Sequence, residues 1–158
     1  MQLTASTDIG MRAVMRLAAA DQLGDRVTIK AIAHQVGASE RTVSTVVARL
    51  VEIGVIATSR GRGGGLMLTG TARSTRLGTL IRQLEQRPEV VDCTGPPSCP
   101  MIAGCRLRHA LAQATEAFYR ELDRFTVADL VAGAAGQLLP LRAHPPQRSP
   151  ADAEEFPR

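Results

Sequence analysis

The chain has 158 residues, 44% of them hydrophobic and 22% charged, which suits one packed core and excludes a chain disordered throughout. No uncharged apolar run approaches the ~18 residues of a membrane span, and Asp8, Arg12 and Arg16 stand where a secretory signal needs an apolar centre, so a cytoplasmic location without a membrane partner is expected. A net charge of +4 permits an anionic partner without demanding one, and all but one of the 19 basic residues are arginine.

Thr7 is placed to cap a first helix running to about Gln22, with Asp8 favourable in its first turn and Gly24-Asp25 ending it. Thr28 can cap a short second helix, Ile29 to Val36, whose apolar side is Ile29, Ile32, Ala33 and Val36. Gly37 supplies a tight turn. Ser39 can cap a third helix reaching Glu52, with Val43, Val46, Val47 and Leu50 on one side and Gly54 as its stop. Val55 to Ser59 and Leu66 to Thr69 read as two short strands joined by Arg60-Gly61-Arg62-Gly63-Gly64-Gly65. A further helix is expected over Thr75 to Gln86. Residues 88–104, rich in Pro and Gly, fit no regular element. From Cys105 to Phe125 the pattern is helical again, with Leu107, Leu111, Ala114, Phe118, Leu122 and Phe125 on one stripe. Thr126 can cap a short last helix, and from Pro140 onward the composition is that of a disordered tail.

These elements predict a mostly α fold with a small β wing. Residues 1–76 form a winged helix-turn-helix unit, 77–104 a connecting helix and cysteine loop, 105–139 a dimerisation helix with a short C-terminal helix, and 140–158 the tail. The dimer expectation rests on length, since the Cys105 pattern would reach ~31 Å as an α-helix, more than a small domain needs.

Charge placement favours a nucleic acid at the N-terminal unit. Residues 1–76 hold ten basic and five acidic side chains, and Ile53 to Leu84 hold five arginines (Arg60, Arg62, Arg73, Arg76 and Arg82) and no acid. With its valines inward, the third helix turns Glu40, Arg41, Ser44, Thr45 and Ala48 outward, short polar groups that let a helix sit deep in a major groove. Thr28, Ser39 and Arg49 complete the candidate set on the helix pair. In the wing, Arg60 and Arg62 supply charge while Gly63, Gly64 and their neighbours let backbone approach phosphates or a minor groove. The bland alternative is a small helical core with a flexible glycine loop, and the loop lacks the Lys-Ser/Thr of a P-loop.

The three cysteines, Cys93, Cys99 and Cys105, follow a C-x5-C-x5-C spacing. Structural zinc favours tighter pairs, a disulfide would leave one thiol over, and inert free thiols are usually isolated and buried. Soft thiolates in threes, with a fourth ligand from elsewhere, suit an iron–sulfur cluster.

The residues Leu3-Thr4 and Thr7-Asp8, the wing Arg60 to Leu66, and Val91-Asp92-Cys93 with Cys99 and Cys105 together resemble the winged-helix iron–sulfur repressor family. It includes the nitric-oxide-sensing repressor NsrR and the cluster-biogenesis regulator IscR, and the likeness covers about residues 1–135. The resemblance implies a homodimeric repressor of double-stranded DNA with a near-palindromic operator, its affinity controlled by the cluster. In the biogenesis type a histidine lies three residues after the third cysteine. Arg108 stands there, and His109 is one step further, about 100° round the helix.

The likeness is therefore to the nitric-oxide-sensing type. It implies a [4Fe-4S] cluster on Cys93, Cys99 and Cys105, Asp8 of the partner subunit as fourth ligand, and nitric oxide as signal. The plain alternative for Asp8 is a first-turn acid paired with Arg12, while Glu89, Asp92, His34 and His109 are further candidate ligands. A [2Fe-2S] redox-sensing regulator is the alternative within the family. From other classes come a thiol- or metal-dependent enzyme on the 93–105 loop and a protein-binding module. No enzyme is expected, since HExxH, C-x-x-C and a serine elbow are all missing.

Overall fold

Thr4, not Thr7, begins the first helix, α1 (Ala5–Leu23). Thr4 Oγ1 accepts from the Thr7 amide at 3.3 Å and its carbonyl from the Asp8 amide at 3.0 Å. Two threonines three residues apart can each offer a capping oxygen. Packing decides between them, because Thr7 is fully buried while Glu85 Oε1 accepts from the Thr4 amide at 2.8 Å and from its hydroxyl. The computed structural model describes residues 3–23, 26–59, 61, 64–85 and 89–133.

The next two helices follow their local signals. In α2 (Ile29–Val36) Thr28 accepts from the Ala31 amide, Gly37 ends the helix at φ 66°, and in α3 (Glu40–Glu52) Ser39 accepts from the Thr42 amide. Val43, Val46, Val47 and Leu50 are buried as the periodicity requires. The wing pairs β1 (Ile56–Ser59) with β2 (Gly65–Leu68) antiparallel, from Ile56 opposite Leu68 to Ser59 opposite Gly65. Strand β1 begins one residue later than expected and ends as expected, whereas β2 lies one residue earlier than the expected Leu66–Thr69. A third rung that the sequence pattern does not announce lies beside the hairpin, since the Leu66 amide donates to the Val27 carbonyl at 2.8 Å. That close approach also explains Gly65, where a Cβ would meet the Val27 oxygen at 2.9 Å. At the tip, Gly61 adopts φ 104° and its carbonyl accepts from the Gly64 amide at 2.8 Å. Arg60, Arg62 and Gly63 lie outside the described residues.

A 3-10 turn (Ala72–Ser74) leads into α4 (Leu77–Glu85), which crosses α5 (Arg106–Leu122). The crossing is close because Gly78 sits against the Tyr119 carbonyl, 2.0 Å from where a Cβ would be. Asp123, at the end of α5, accepts from the Thr79 amide at 2.7 Å and so caps α4 from a different helix. Helix α5 is shorter at both ends than the Cys105–Phe125 pattern predicts. Its C-terminus turns back because the Phe125 carbonyl accepts from Leu77 at 3.0 Å and the Val127 amide donates to Thr75 at 3.1 Å. Thr126 does not cap a helix as an acceptor; its amide and hydroxyl both donate to Asp129 Oδ2 at 2.7 Å, heading only a 3-10 turn (Asp129–Val131).

One core joins these parts. Leu17 of α1, Ile32 of α2, Leu50 of α3, Ile56 of β1 and Leu80 of α4 are essentially fully buried, together with Val127 and Val131 beyond α5. The architecture is mostly α with a small β wing: a winged helix-turn-helix followed by a long helix. The tail expected at 140–158 lies outside the described residues, and among those described no helix is long and apolar enough to cross a membrane.

Candidate functional site

Helix α3 presents one face to solvent. Glu40, Arg41, Ser44, Thr45 and Ala48 are all exposed. The Ser44 hydroxyl donates to the Glu40 carbonyl at 2.7 Å and that of Thr45 to the Arg41 carbonyl at 3.1 Å. Both short side chains therefore lie back along the helix and keep its surface low, which leaves room for a groove wall. Thr28 and Ser39 are exposed at their helix N-termini with their oxygens engaged as caps. Arg49 is turned elsewhere. It pairs with Glu52 at 3.0 Å and donates to the Gln83 carbonyl at 3.2 Å, bracing α3 against α4.

The cysteine segment is a chain of turns standing on α5. The Cys99 amide donates to the Cys93 carbonyl at 3.1 Å, Ile102 to Cys99 at 3.2 Å and Gly104 to Met101 at 3.1 Å. Cys105 is the N-cap of α5, not its first helical residue, with Sγ accepting from the Arg108 amide at 3.4 Å. All three cysteines are free thiols and half-buried. Burial pushes the Cys93 thiol up first, the nearby Cys99 raises it further, Arg108 works in the opposite direction, and Glu89 and Cys105 add to the rise. Cys93 therefore resists ionising in the metal-free chain, and a bound cation would reverse that preference.

The other candidate ligands have partners of their own. Asp92 Oδ1 accepts from the Gly95 amide at 2.7 Å and the Thr94 amide at 3.2 Å, shaping the turn after Cys93. Both Glu89 oxygens are held by Arg108, whose hydrogen bonds keep this carboxyl below its usual range. His109 meets Gln113 at 3.0 Å. Asp8 pairs with Arg12 at 3.0 Å, at the surface, beside an open groove lined by Met11, Met15 and Val36. Among the described residues no three His, Cys, Asp or Glu side chains stand close enough to hold a metal ion within one chain. The donor chemistry nevertheless fits iron and sulfide, since three thiols arrive on one segment and are engaged in no disulfide.

Periodicity alone could not show what connects the two regions. Arg82 of α4 grips both oxygens of Glu116 on α5 at 2.7 and 2.8 Å and lies 4.3 Å from the Tyr119 ring centre. Helix α4 thus holds α5 on one side and, through Gln83 and Arg49, the end of α3 on the other. On α5 the inward residues are Thr115 and Tyr119, whereas Leu107 remains 65% exposed and Phe125, just beyond the helix, 49%. Much of the predicted apolar stripe is thus left outside the core.

The sequence matches the Rrf2 family, described as an iron-dependent transcriptional regulator, over residues 3–133. It is 44% identical over 139 residues to the HTH-type transcriptional repressor NsrR of Streptomyces coelicolor, covering 88% of this chain and 94% of that protein. It is 38% identical to the HTH-type transcriptional regulator NsrR of Geobacillus kaustophilus over 133 residues, 83% of this chain and 90% of the relative. The T. potens IscR structure shares the fold with a TM-score of 0.64 at 24% identity, covering 83% of this chain and 86% of that one. These relatives are named as regulators, not enzymes. With this winged helix-turn-helix fold and a family match over residues 3–133, the chain is a transcriptional regulator that belongs to the Rrf2 family.

Proposed function

We propose that the chain is a homodimeric repressor that binds a near-palindromic operator in double-stranded DNA and releases it in response to nitric oxide. Cys93, Cys99 and Cys105 would hold an iron–sulfur cluster, [4Fe-4S] in this reading, with Asp8 of the partner subunit as the fourth ligand. The observation that carries the reading is the cysteine segment itself: three free thiols within one run of turns, capped onto the long helix of a winged helix-turn-helix protein. The name of the relative at 44% identity supports repression.

When bound, the cluster supplies iron that reacts with nitric oxide, most readily where an oxygen ligand replaces a thiolate. The chain's own residues carry the consequence. Cys105 caps α5, Arg82 binds α5 to α4, and Arg49 binds α4 to the end of α3. A change in the fold of the cysteine segment therefore meets polar contacts that run through α5 and α4 to the end of α3. The exposed part of the α5 stripe offers the apolar surface for the second subunit, and a two-fold operator matches a two-fold dimer.

The test is operator binding by fluorescence anisotropy with anaerobically loaded protein. Stoichiometric nitric oxide is expected to abolish tight binding, and undiminished affinity overturns the mechanism. Iron and sulfide counts distinguish [4Fe-4S] from [2Fe-2S]. Two kinds of DNA contact are expected to respond differently to substitution. Arg41→Ala or Thr45→Ala should shift base preference, each by ~1–3 kcal/mol, whereas Arg62→Ala should weaken binding evenly across sequences and flatten the salt slope by about one. Equal silence at both sets, measured on a panel of operator variants at several salt concentrations, defeats the groove assignment.

A further inference from the structure

The segment that carries all three cysteines is tied at its two ends by one ion pair. Glu89 lies before Cys93 and Arg108 after Cys105, nineteen residues apart. The guanidinium meets both carboxylate oxygens, Nε on Oε2 at 2.7 Å and Nη2 on Oε1. The side chains are 35% and 31% exposed, so the pair is better shielded than an ordinary surface contact.

Arg108 is tied to the thiols as well. Its backbone amide donates to Cys105 Sγ at 3.4 Å, and its charge opposes the effect of burial at Cys93. Cys93 and Cys105 act on Arg108 in return. A guanidinium stays protonated and has no lone pair to give, so this residue cannot itself ligate a metal.

We propose that Glu89 and Arg108 form a clasp that preorganises Cys93, Cys99 and Cys105 for their metal group, with Arg108 a positioning residue. The proposal rests on the cysteine-ligand reading above. Its physical basis is loop closure. Gathering three thiols from an unrestrained segment costs chain entropy at the moment of binding, and a pair that has already joined the ends lowers that cost. Because the pair is net neutral, it orders the segment without adding charge. A bidentate fork is needed, since it fixes both distance and direction. Lysine offers only a point charge on a flexible stem.

The test loads full-length wild type, Glu89→Gln, Arg108→Gln, Arg108→Lys and the Glu89→Gln/Arg108→Gln double variant with ferrous iron and sulfide under anaerobic conditions. Native mass spectrometry counts the bound iron, and a ferrous chelator such as ferrozine times its release. Each single glutamine variant is expected to release iron about 10–100-fold faster, the range found for partners that orient metal ligands. Arg108→Lys should fall between wild type and Arg108→Gln. The double variant should be no worse than the worse single variant, because the clasp can be broken only once.

Circular dichroism and melting of the metal-free variants should match wild type, as neither side chain belongs to the core. A silent Glu89→Gln beside a fast Arg108→Gln, additive losses, or an early-melting metal-free variant each overturn the clasp. A wild type that takes up no iron overturns the cysteine-ligand reading itself, and it does so before any variant is compared.

Discussion

Gly78→Ala is expected to lower the stability of the chain by about 3 kcal/mol, the upper part of the usual range for overpacking. Two effects oppose each other at this position. Alanine favours a helix interior over glycine by ~1 kcal/mol, an upper bound at Gly78, the second residue of α4. Against that gain, a Cβ would stand 2.0 Å from the Tyr119 oxygen and 2.8 Å from Asp123 Oδ1. The first of these is backbone and cannot rotate away, so α4 and α5 must separate. Separation also removes Asp123 from the Thr79 amide, uncapping α4, and lifts Arg82 off Glu116 and the Tyr119 ring. The clash wins. Melting followed by circular dichroism should show a fall of roughly 6–12 °C, compared at equal protein concentration because association shifts the midpoint. Gly70→Ala is the control, since no atom lies within 4 Å of its added Cβ and its φ is ordinary. Equal melting of the Gly78 and Gly70 variants would show that the crossing is not set by the missing side chain.

That glycine illustrates what could and could not be read from the chain alone. Elements governed by near neighbours were legible. Thr28, Gly37 and Ser39 act within four residues of their partners, and the four buried positions of α3 repeat at helical spacing. Where two local signals competed, a distant residue decided. Thr4 prevailed over Thr7 because Glu85, eighty-one positions away, takes its amide. Long-range backbone contacts left no periodic trace, so the Val27 rung beside β2 was not foreseen, nor was the return of Phe125 to Leu77 that ends α5 early. The cysteine spacing pointed to the segment but not to its clasp, because Glu89 and Arg108 share no helix face or strand register. Opposite charges bracketing the cysteines were the only available sign.

Cys99→Ser is expected to remove iron and sulfide binding while leaving the fold intact. The substitution exchanges a soft sulfur for a hard oxygen of nearly the same shape, and a hydroxyl is neutral at ordinary pH where a thiol can give a soft anionic ligand. Cys99 contributes to the segment through its backbone, donating to Cys93 and accepting from Ile102, and serine preserves both bonds. Its side chain is half-buried outside the core, so the metal-free melting temperature should stay within about 1–2 °C of wild type, as surface substitutions generally do. Carried through the same reconstitution, the variant should bind operator at least tenfold more weakly than loaded wild type, a loss of ~1.4 kcal/mol or more. Its affinity should equal that of wild type stripped of metal, because both lack the same restraint on the segment leading into α5. Anaerobic reconstitution, iron and sulfide counts, and anisotropy on one operator measure all three quantities in the same samples. Full iron uptake by the serine variant would exclude Cys99 as a ligand. Empty protein that still binds as tightly as loaded wild type would instead separate the cysteine segment from DNA recognition, leaving the α4 contacts with a purely structural role.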